Sequence, residues 1–340
     1  MGTANPVLIE LTRGQLIESS HRGAIAIAAA SGAIVLALGD VDHPVYPRSS
    51  LKPLQALPLL ESGAATFFGL SDEEVALACA SHSGEAMHTE RVGTWLSRLG
   101  LSVADLACGP HPVRDEPTRT KMLCAHEDPS ALHNNCSGKH TGFLTLAKHL
   151  RAPTAGYVHV EHPVQRAVHA AIAELGGLQG ALPWGVDGCA APNFALPLAA
   201  FARALACFAA PDRQSPARAA AMRRILRAMT SYPELVSGTG RACAILMRAA
   251  SGRAAVKTGA EGVFAAIIPE KQLAIALKID DGATRAAETA MAHLLERLGL
   301  LGADAAAQRL ARTPILNTKS TVVGECRAAP ALTNLDLAGL

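Results

Sequence analysis

A serine and a lysine stand at a spacing that suits nucleophilic catalysis. Ser49 and Lys52 form a Ser-x-x-Lys motif, and residues three apart share one face of a helix. A serine hydroxyl needs a base before it can attack a carbonyl carbon. A lysine serves as that base only where burial or a neighbouring cation favours its neutral form. Lys52 begins an otherwise apolar run that extends to Leu60, and Arg48 beside it could clamp a carboxylate. The motif therefore indicates Ser49 as nucleophile and Lys52 as base.

Two further motifs follow the first in a meaningful order. Alone, Ser-x-x-Lys also fits a helix-capping serine and a surface lysine. Here Ser81-His-Ser83 follows the next predicted helix, and Lys257-Thr-Gly259 ends a predicted strand. Serine β-lactamases and penicillin-binding proteins carry Ser-x-x-Lys, Ser-x-Asn and Lys-Thr-Gly in this order. Ser83 departs from that pattern, because an asparagine is expected there.

The elements that must position these residues lie in three blocks. Apolar runs at Ala24–Ala30 and Ala33–Leu38, joined by Ser-Gly, predict a hairpin, and short apolar runs return after Gly240. Helical periodicity dominates between them, except in the Pro- and His-rich stretch 101–135, which is predicted to be mostly loop.

This order predicts an α+β fold in which an antiparallel sheet is built from both chain ends around an inserted helical block. Residues 1–340 are interpreted as a single catalytic unit. Residues 1–48 and 240–300 are its sheet part, and residues 49–239 are mainly helical. The tail, residues 313–340, receives no functional assignment.

Composition excludes several classes of protein. The net charge is only +2, with 18% charged residues and no basic stripe, which argues against nucleic acid as a partner. The chain shows no signal peptide, and its apolar runs are too short to span a membrane. We therefore expect a soluble, cytoplasmic protein. Its eight cysteines are dispersed, which favours thiols or metal ligands over disulfides.

Five segments together resemble the rhizobial-type, thermolabile L-asparaginase family. The resemblance runs from about Glu10 to at least Asp281. The segments are Pro47-Arg-Ser-Ser-Leu-Lys-Pro53, Cys79-Ala-Ser-His-Ser-Gly-Glu85, Asn134-Asn-Cys-Ser-Gly-Lys-His140, Trp184-Gly-Val-Asp-Gly-Cys189 and Gly238-Thr-Gly-Arg-Ala-Cys243. The resemblance implies a serine β-lactamase-like fold, a homodimer and the hydrolysis of L-asparagine to L-aspartate and ammonia.

The resemblance also implies roles for individual residues. Ser49 would be the nucleophile and Lys52 its base, while Ser81 and Lys257 would form a second Ser–Lys pair. Arg48 is a candidate for the substrate carboxylate. Asp187 could balance the substrate ammonium. The other residues proposed to line the substrate site are His140, Gly238, Gly240 and Cys243.

A zinc ion is implied by the resemblance alone. Its ligands would be Cys136, Lys139 and Cys189, with Asp187 and His140 as neighbouring groups. Two thiolates suit zinc, although a lysine ligand must lose its proton. Without the resemblance, two isolated cysteines would be interpreted as small buried apolar residues.

Several alternatives stay open. His82, Glu85 and His88 are spaced three apart but are interpreted as a capped, solvated helix start. A glutaminase or another Ser-x-x-Lys amidohydrolase, such as a β-lactamase or peptidase relative, is the nearest rival. One methylene changes pocket preference by only about 1–3 kcal/mol. A non-catalytic protein that binds zinc or an amino acid is the alternative from another class.

Overall fold

The computed structural model describes residues 4–340, which divide into two compact units. The sheet unit contains the chain up to Ser50, together with Leu196–Ala210 and Ile245–Leu340. The helical unit contains Leu51–Ala195 and Pro211–Ala244. Each unit is described by itself below.

Among residues 4–340 the structure contains twelve strands and fourteen α-helices. The strands are β1 (Val7–Arg13), β2 (Leu16–Ala29), β3 (Ile34–Leu38), β4 (Pro44–Val45), β5 (Trp184–Val186), β6 (Pro192–Phe194), β7 (Leu196–Pro197), β8 (Ala255–Thr258), β9 (Val263–Ile268), β10 (Leu273–Ile279), β11 (Thr313–Leu316) and β12 (Val322–Ala328). The helices are α1 (Lys52–Glu61), α2 (Ala64–Phe67), α3 (Asp72–Ala78), α4 (Ala86–Arg98), α5 (Glu116–Cys124), α6 (Ser137–His149), α7 (Pro163–Gly176), α8 (Leu198–Ala209), α9 (Pro216–Ser231), α10 (Pro233–Ser237), α11 (Ala242–Ala249), α12 (Thr284–Arg297), α13 (Ala305–Ala311) and α14 (Pro330–Thr333).

The main sheet of the sheet unit is antiparallel and joins both ends of the chain. Its strand order is β11-β12-β1-β2-β10-β9-β8, and β3 also pairs with β2. The register of β2 with β10 places Ile25 opposite Leu277 and Ile27 opposite Ile275. Strand β9 is fully buried and β10 nearly so, because the helices α8 and α12 pack against these strands. The predicted α+β class, with its sheet built from both chain ends, is confirmed.

Two parts of the chain carry more structure than the sequence predicts. Helix α5 lies inside the stretch predicted to be loop, and the Asp115 carboxylate caps it by accepting the Thr118 N–H at 2.9 Å. In the tail, β12 pairs with β1, with Glu10 opposite Arg327, and β11 pairs with β12 to form the edge of the sheet. The tail therefore forms part of the sheet.

Candidate active site

Ser49 lies on a constrained turn in the sheet unit. Residues Arg48–Leu51 form one 3-10 turn that continues directly into α1, which begins at Lys52. The backbone of Arg48 has a φ of +53°, a left-handed conformation that costs a non-glycine residue about 1 kcal/mol or more. The N–H and the hydroxyl of Ser50 both donate to the Pro47 carbonyl, at 3.2 and 2.6 Å. Such strain, held by the surrounding contacts, is typical of functional positions.

The Lys-Thr-Gly segment packs against this turn within the sheet unit. Gly259 follows β8, and a Cβ atom at that position would lie 2.5 Å from the Pro47 carbonyl oxygen and 3.3 Å from the Ser50 nitrogen. Only glycine permits this approach. Lys257 is buried on β8, and its ammonium donates to the Thr258 carbonyl at 2.9 Å. The structure therefore places the third motif beside the residues that flank Ser49.

The helical unit brings Lys52 and Ser81 together. Lys52 is 1% exposed, and its Nζ donates to Ser81 Oγ at 2.9 Å and to the Asn135 carbonyl at 3.5 Å. It also makes a very short contact to the Ala80 carbonyl. The Ser81 N–H donates to the Val236 carbonyl at 2.8 Å, which anchors the loop that carries the hydroxyl. The first and second motifs thus share one buried hydrogen-bonded pair.

The three predicted zinc ligands also converge in the helical unit. Cys136, Lys139 and Cys189 are each at most 4% exposed, and Lys139 Nζ donates to Cys189 Sγ at 3.0 Å. The hydrogen bond between the two cysteines and burial raise the pKa of Cys136 to about 12. The same bond, together with the charge of Lys139, lowers the pKa of Cys189 to about 4 against the effect of burial. Burial lowers the pKa of Lys139, but the charges of Cys189 and Cys136 raise it by more, so the pKa of Lys139 lies above its ordinary value.

The motif around these ligands is held by its own hydrogen bonds. The side chain of Asn134 accepts the Cys136 N–H at 2.9 Å and donates to the carbonyls of Cys108 and Gly109. A Cβ at Gly138 would lie 2.4 Å from the Leu77 carbonyl oxygen, so glycine lets the first turn of α6 approach the end of α3. This close approach explains the glycine in Asn-Cys-Ser-Gly-Lys-His.

The buried Nε2 atom of His140 has no hydrogen-bond partner among residues 4–340. The Ala107 N–H donates to the Tyr157 hydroxyl at 2.9 Å, and that hydroxyl lies 2.7 Å from His140 Nδ1. Burial, with the nearby charge of Lys139, lowers the pKa of His140 well below its usual range. When the Tyr157 hydroxyl donates to Nδ1, the neutral ring carries its proton on Nε2. Nε2 is buried and has no partner among residues 4–340, so it is available to a ligand.

The other residues predicted to line the substrate site also lie in the helical unit. Asp187 lies in the turn between β5 and β6, and its charge acts on both Lys139 and Cys189. Cys243 is buried on α11. Gly238 has a φ of +112°, and a Cβ there would lie 2.1 Å from Ser83 Oγ. Gly240 lies at the exposed end of this loop.

Glu85 is a structural residue that sequence reasoning missed. Its carboxylate accepts the Ser83 hydroxyl at 2.5 Å, the Thr239 N–H at 2.9 Å and the Thr239 hydroxyl at 2.7 Å. It therefore ties the second motif to the loop that begins at Gly238. Ser83, which replaces the expected asparagine, uses its proton in this bond. The sequence holds no signal for it, because 154 positions separate Glu85 from Thr239.

The interpretation of His82 and His88 as a solvated helix start is wrong. Both rings are buried, and they stack with centroids 4.7 Å apart. His82 Nδ1 accepts the Gly84 N–H at 3.2 Å, so Nε2 donates to Ser137 Oγ at 2.9 Å. His88 bonds to the Glu234 carbonyl at 2.9 Å. Burial lowers the pKa of His82 well below its usual range, so this ring is neutral at physiological pH.

These features define an α+β protein with a buried Ser–Lys pair next to a Cys–Lys–Cys cluster in its helical unit. The family described as L-asparaginase II matches residues 9–328. The chain belongs to this family, and it is accordingly an amidohydrolase.

Further comparisons are distant. No curated protein sequence matches the chain. Among solved structures, the chain is similar to a β-lactamase from Mycobacterium bovis, with 14% identity, a TM-score of 0.39 and coverage of 78% of this chain and 89% of that one. It is also similar to a putative β-lactamase from Bacteroides dorei (13% identity, TM-score 0.41, coverage 76% and 84%). Simvastatin synthase from Aspergillus terreus matches at 10% identity and a TM-score of 0.40, with coverage of 85% and 94%. At these scores the likeness decides nothing about activity.

Two searches of residues 4–340 complete the description of the site. No helix there combines the length and apolar character that crossing a membrane requires. No group of three or more His, Cys, Asp or Glu side chains is arranged to hold a metal ion in that part of the chain. A metal at the Cys136 and Cys189 pair would therefore need the nitrogen of Lys139 as its third protein ligand.

Proposed function

We propose that this protein hydrolyses the side-chain amide of L-asparagine to L-aspartate and ammonia through an acyl-enzyme on Ser49. The family supports amide hydrolysis. The observation that carries the mechanism is the buried Lys52, hydrogen-bonded to Ser81 and preceded by the constrained turn that bears Ser49. A lysine and a second hydroxyl in contact can move a proton to and from a serine nucleophile.

The reaction has two halves. Ser49 Oγ attacks the amide carbon and its proton passes to Lys52, which in the neutral form acts as the base. Collapse of the tetrahedral intermediate breaks the C–N bond, and the relay of Lys52 and Ser81 protonates the leaving nitrogen, so that ammonia departs. A water molecule then loses a proton to the same relay and attacks the carbonyl carbon of the Ser49 ester. Collapse of this second intermediate breaks the bond to Ser49 Oγ, which takes the proton back from the relay, and L-aspartate is released. Backbone N–H groups at the start of the helical run are suited to the oxyanion. Lys257 as a further member of the relay stays a prediction.

The donor set of Cys136, Lys139 and Cys189 fits zinc. Two of the three are sulfurs, all three are buried, and Cys189 favours its thiolate form. Lys139 would give up its proton on binding, as metal ligands do. A zinc ion bound there would supply positive charge that polarises a substrate oxygen. Independently of the metal, His140 Nε2 can donate a hydrogen bond to a substrate oxygen, and Asp187 can bind the substrate ammonium.

Ammonia release from L-asparagine and L-glutamine, measured side by side, tests the proposal. The Ser49→Ala variant should lose at least about a thousandfold in kcat, as other enzymes do without their nucleophile. Ser50→Ala is the matched control, because it removes the adjacent hydroxyl, which only bonds to Pro47. Turnover that survives in Ser49→Ala refutes the mechanism. Hydrolysis of glutamine or a β-lactam alone refutes the substrate. Zinc binding without any turnover would favour the non-catalytic alternative.

The homodimer that the family resemblance implies and the cytoplasmic location that the sequence predicts both stay predictions. Size-exclusion chromatography with light scattering measures the first, and fractionation of the source cells measures the second.

A further inference from the structure

A second cavity of the helical unit lies outside the candidate active site. It has a volume of about 270 Å³ and is lined by residues of α7, of the hairpin of β5 and β6, and of the segments that flank them. None of the residues that line it is among the candidate catalytic, substrate-binding or zinc-binding residues. Pockets for drug-sized ligands have volumes of roughly 300–1,000 Å³, so this cavity suits a smaller molecule.

Two aromatic side chains supply most of the apolar surface of this cavity. The strand register places Trp184 of β5 directly opposite Phe194 of β6, and side chains of such a pair lie on the same face of a hairpin. Phe194 is buried, whereas Trp184 is 45% exposed. Val160 and Leu182 add aliphatic surface. Aromatic side chains contribute strongly to binding when they are covered, and the exposed part of Trp184 is open to such a contact.

His169 places a hydrogen-bond donor next to this apolar surface. Its ring lies edge-on to Phe194, with centroids 5.2 Å apart. The Leu182 N–H donates to His169 Nε2 at 3.2 Å, so this nitrogen carries no proton and the neutral ring is protonated at Nδ1. No group among residues 4–340 accepts the Nδ1 proton. The cavity therefore combines aromatic rings with a donor that a ligand can use.

Opposite charges line the same cavity without neutralising each other. Glu161 and Arg166 are both exposed there, and no ion pair joins them in the part of the chain that the structure describes. An exposed arginine without a partner is ordinary by itself, and Arg151 is another example in this unit. Arg166 differs from it because it shares a cavity with a carboxylate, a histidine donor and two aromatic rings.

We infer that this cavity binds the zwitterion of an amino acid with an aromatic side chain. Arg166 and His169 bind the carboxylate, since a guanidinium and a ring N–H both donate to carboxylate oxygens. Glu161 binds the ammonium, and the rings of Trp184 and Phe194 contact the side chain. Only a small molecule that carries both charges and an apolar group uses all of these contacts. The site does not depend on the reaction proposed at Ser49.

Tryptophan fluorescence reports on this cavity directly. The chain contains two tryptophans, and Trp95 is fully buried on α4, so a ligand in the cavity acts on the emission of Trp184. Titration of the full chain with L-phenylalanine should give a saturable change in emission, which Trp184→Phe abolishes. Calorimetry should show the dissociation constant rising about 10- to 100-fold in Arg166→Gln, the range of a lost charged hydrogen bond. Arg151→Gln, outside the cavity, is the matched control.

Truncated ligands separate the individual contacts from a general effect on the fold. 2-Phenylethylamine lacks the carboxylate, and 3-phenylpropanoate lacks the ammonium. Arg166→Gln should weaken the binding of 3-phenylpropanoate and leave that of 2-phenylethylamine unchanged, whereas Glu161→Gln should do the reverse. L-Alanine keeps both charges but lacks the ring, so it should bind at least about tenfold more weakly than L-phenylalanine.

Three results would overturn the inference. The first is a wild type that shows no saturable binding of L-phenylalanine. The second is a dissociation constant that is unchanged in Arg166→Gln or that rises equally in Arg151→Gln. The third is a Trp184 emission that follows the protein concentration and not the ligand, because a second copy of the chain would then cover the cavity. None of these measurements needs turnover, so a chain that hydrolyses no asparagine can still confirm the site.

Discussion

Substitution of Gly259 by alanine should slow catalysis more than it destabilises the fold. The new Cβ would lie 2.5 Å from the Pro47 carbonyl oxygen, whereas Cβ contacts below 3.0 Å are practically never found. The turn that carries Ser49 must therefore shift by about half an ångström or more relative to β8. A misplacement of 1 Å can cost about a hundredfold in rate, so we expect kcat to fall roughly 10- to 100-fold. Overpacking should lower the free energy of unfolding by about 1–3 kcal/mol.

The assay measures kcat for L-asparagine by ammonia release and the free energy of unfolding by urea titration. Gly302→Ala serves as control, because Gly302 also belongs to the sheet unit and an added Cβ there meets no atom within 4 Å. A Gly259→Ala enzyme that is destabilised but turns over at the wild-type rate would refute the reasoning. The contact with Pro47 would then support the fold without positioning the nucleophile.

Three further predictions concern the helical unit. Glu85→Ala removes the acceptor of three hydrogen bonds and should lower the free energy of unfolding by about 1–3 kcal/mol, which urea titration measures. The pKa of His82 lies below its unfolded value near 6.5, so the unfolded chain binds the proton first. Stability should therefore fall as the pH drops below 6.5, by at most about 1.4 kcal/mol per pH unit from this group, as urea titrations at several pH values would show. Cys189→Ser should weaken zinc binding at least tenfold, measured by competition with a chromogenic chelator.

Each of these predictions has an outcome that contradicts it. An unchanged free energy of unfolding in Glu85→Ala would mean that water replaces the carboxylate at no cost. A His82→Gln variant with the same pH dependence as the wild type would place the acid sensitivity elsewhere. Equal zinc affinities in Cys189→Ser and in Cys124→Ser, which alters an exposed thiol, would exclude the cluster as the metal site.

The sequence predicts the parts of the fold that depend on local patterns. The hairpin around Ser31-Gly32 is confirmed, since β2 pairs with β3. The strand β2 begins at Leu16, well before its apolar run, because its polar first half pairs with β1. Strand β12 was missed for a related reason, since its partner β1 lies about 300 residues away in the sequence. Long-range pairing of this kind leaves no periodic signal in one sequence.

The candidate site likewise contains some features that local motifs predict and others that depend on long-range contacts. Ordered motifs point to Lys52 and Ser81, and the structure brings these two side chains together at 2.9 Å. Motifs say nothing of contacts between distant segments, such as the one between Glu85 and Thr239. The burial of His82 escaped prediction because its partner Ser137 belongs to another helix. Polar residues look solvated in a sequence until the structure supplies the groups that satisfy them.

The pairing of β2 with β10 has a consequence for biosynthesis. Residues 23–29 of β2 leave the ribosome some 250 positions before their partners at 273–279. During that interval the apolar half of β2 lacks its partner β10. Most of the helical unit, by contrast, has already been synthesised together with the segments that it contacts. Closing so long a loop is slow, and unpaired strands aggregate readily. We therefore expect the nascent chain to depend on chaperones until its last third is made. Ribosome-bound truncations that end before residue 273 should be protease-sensitive in residues 23–29.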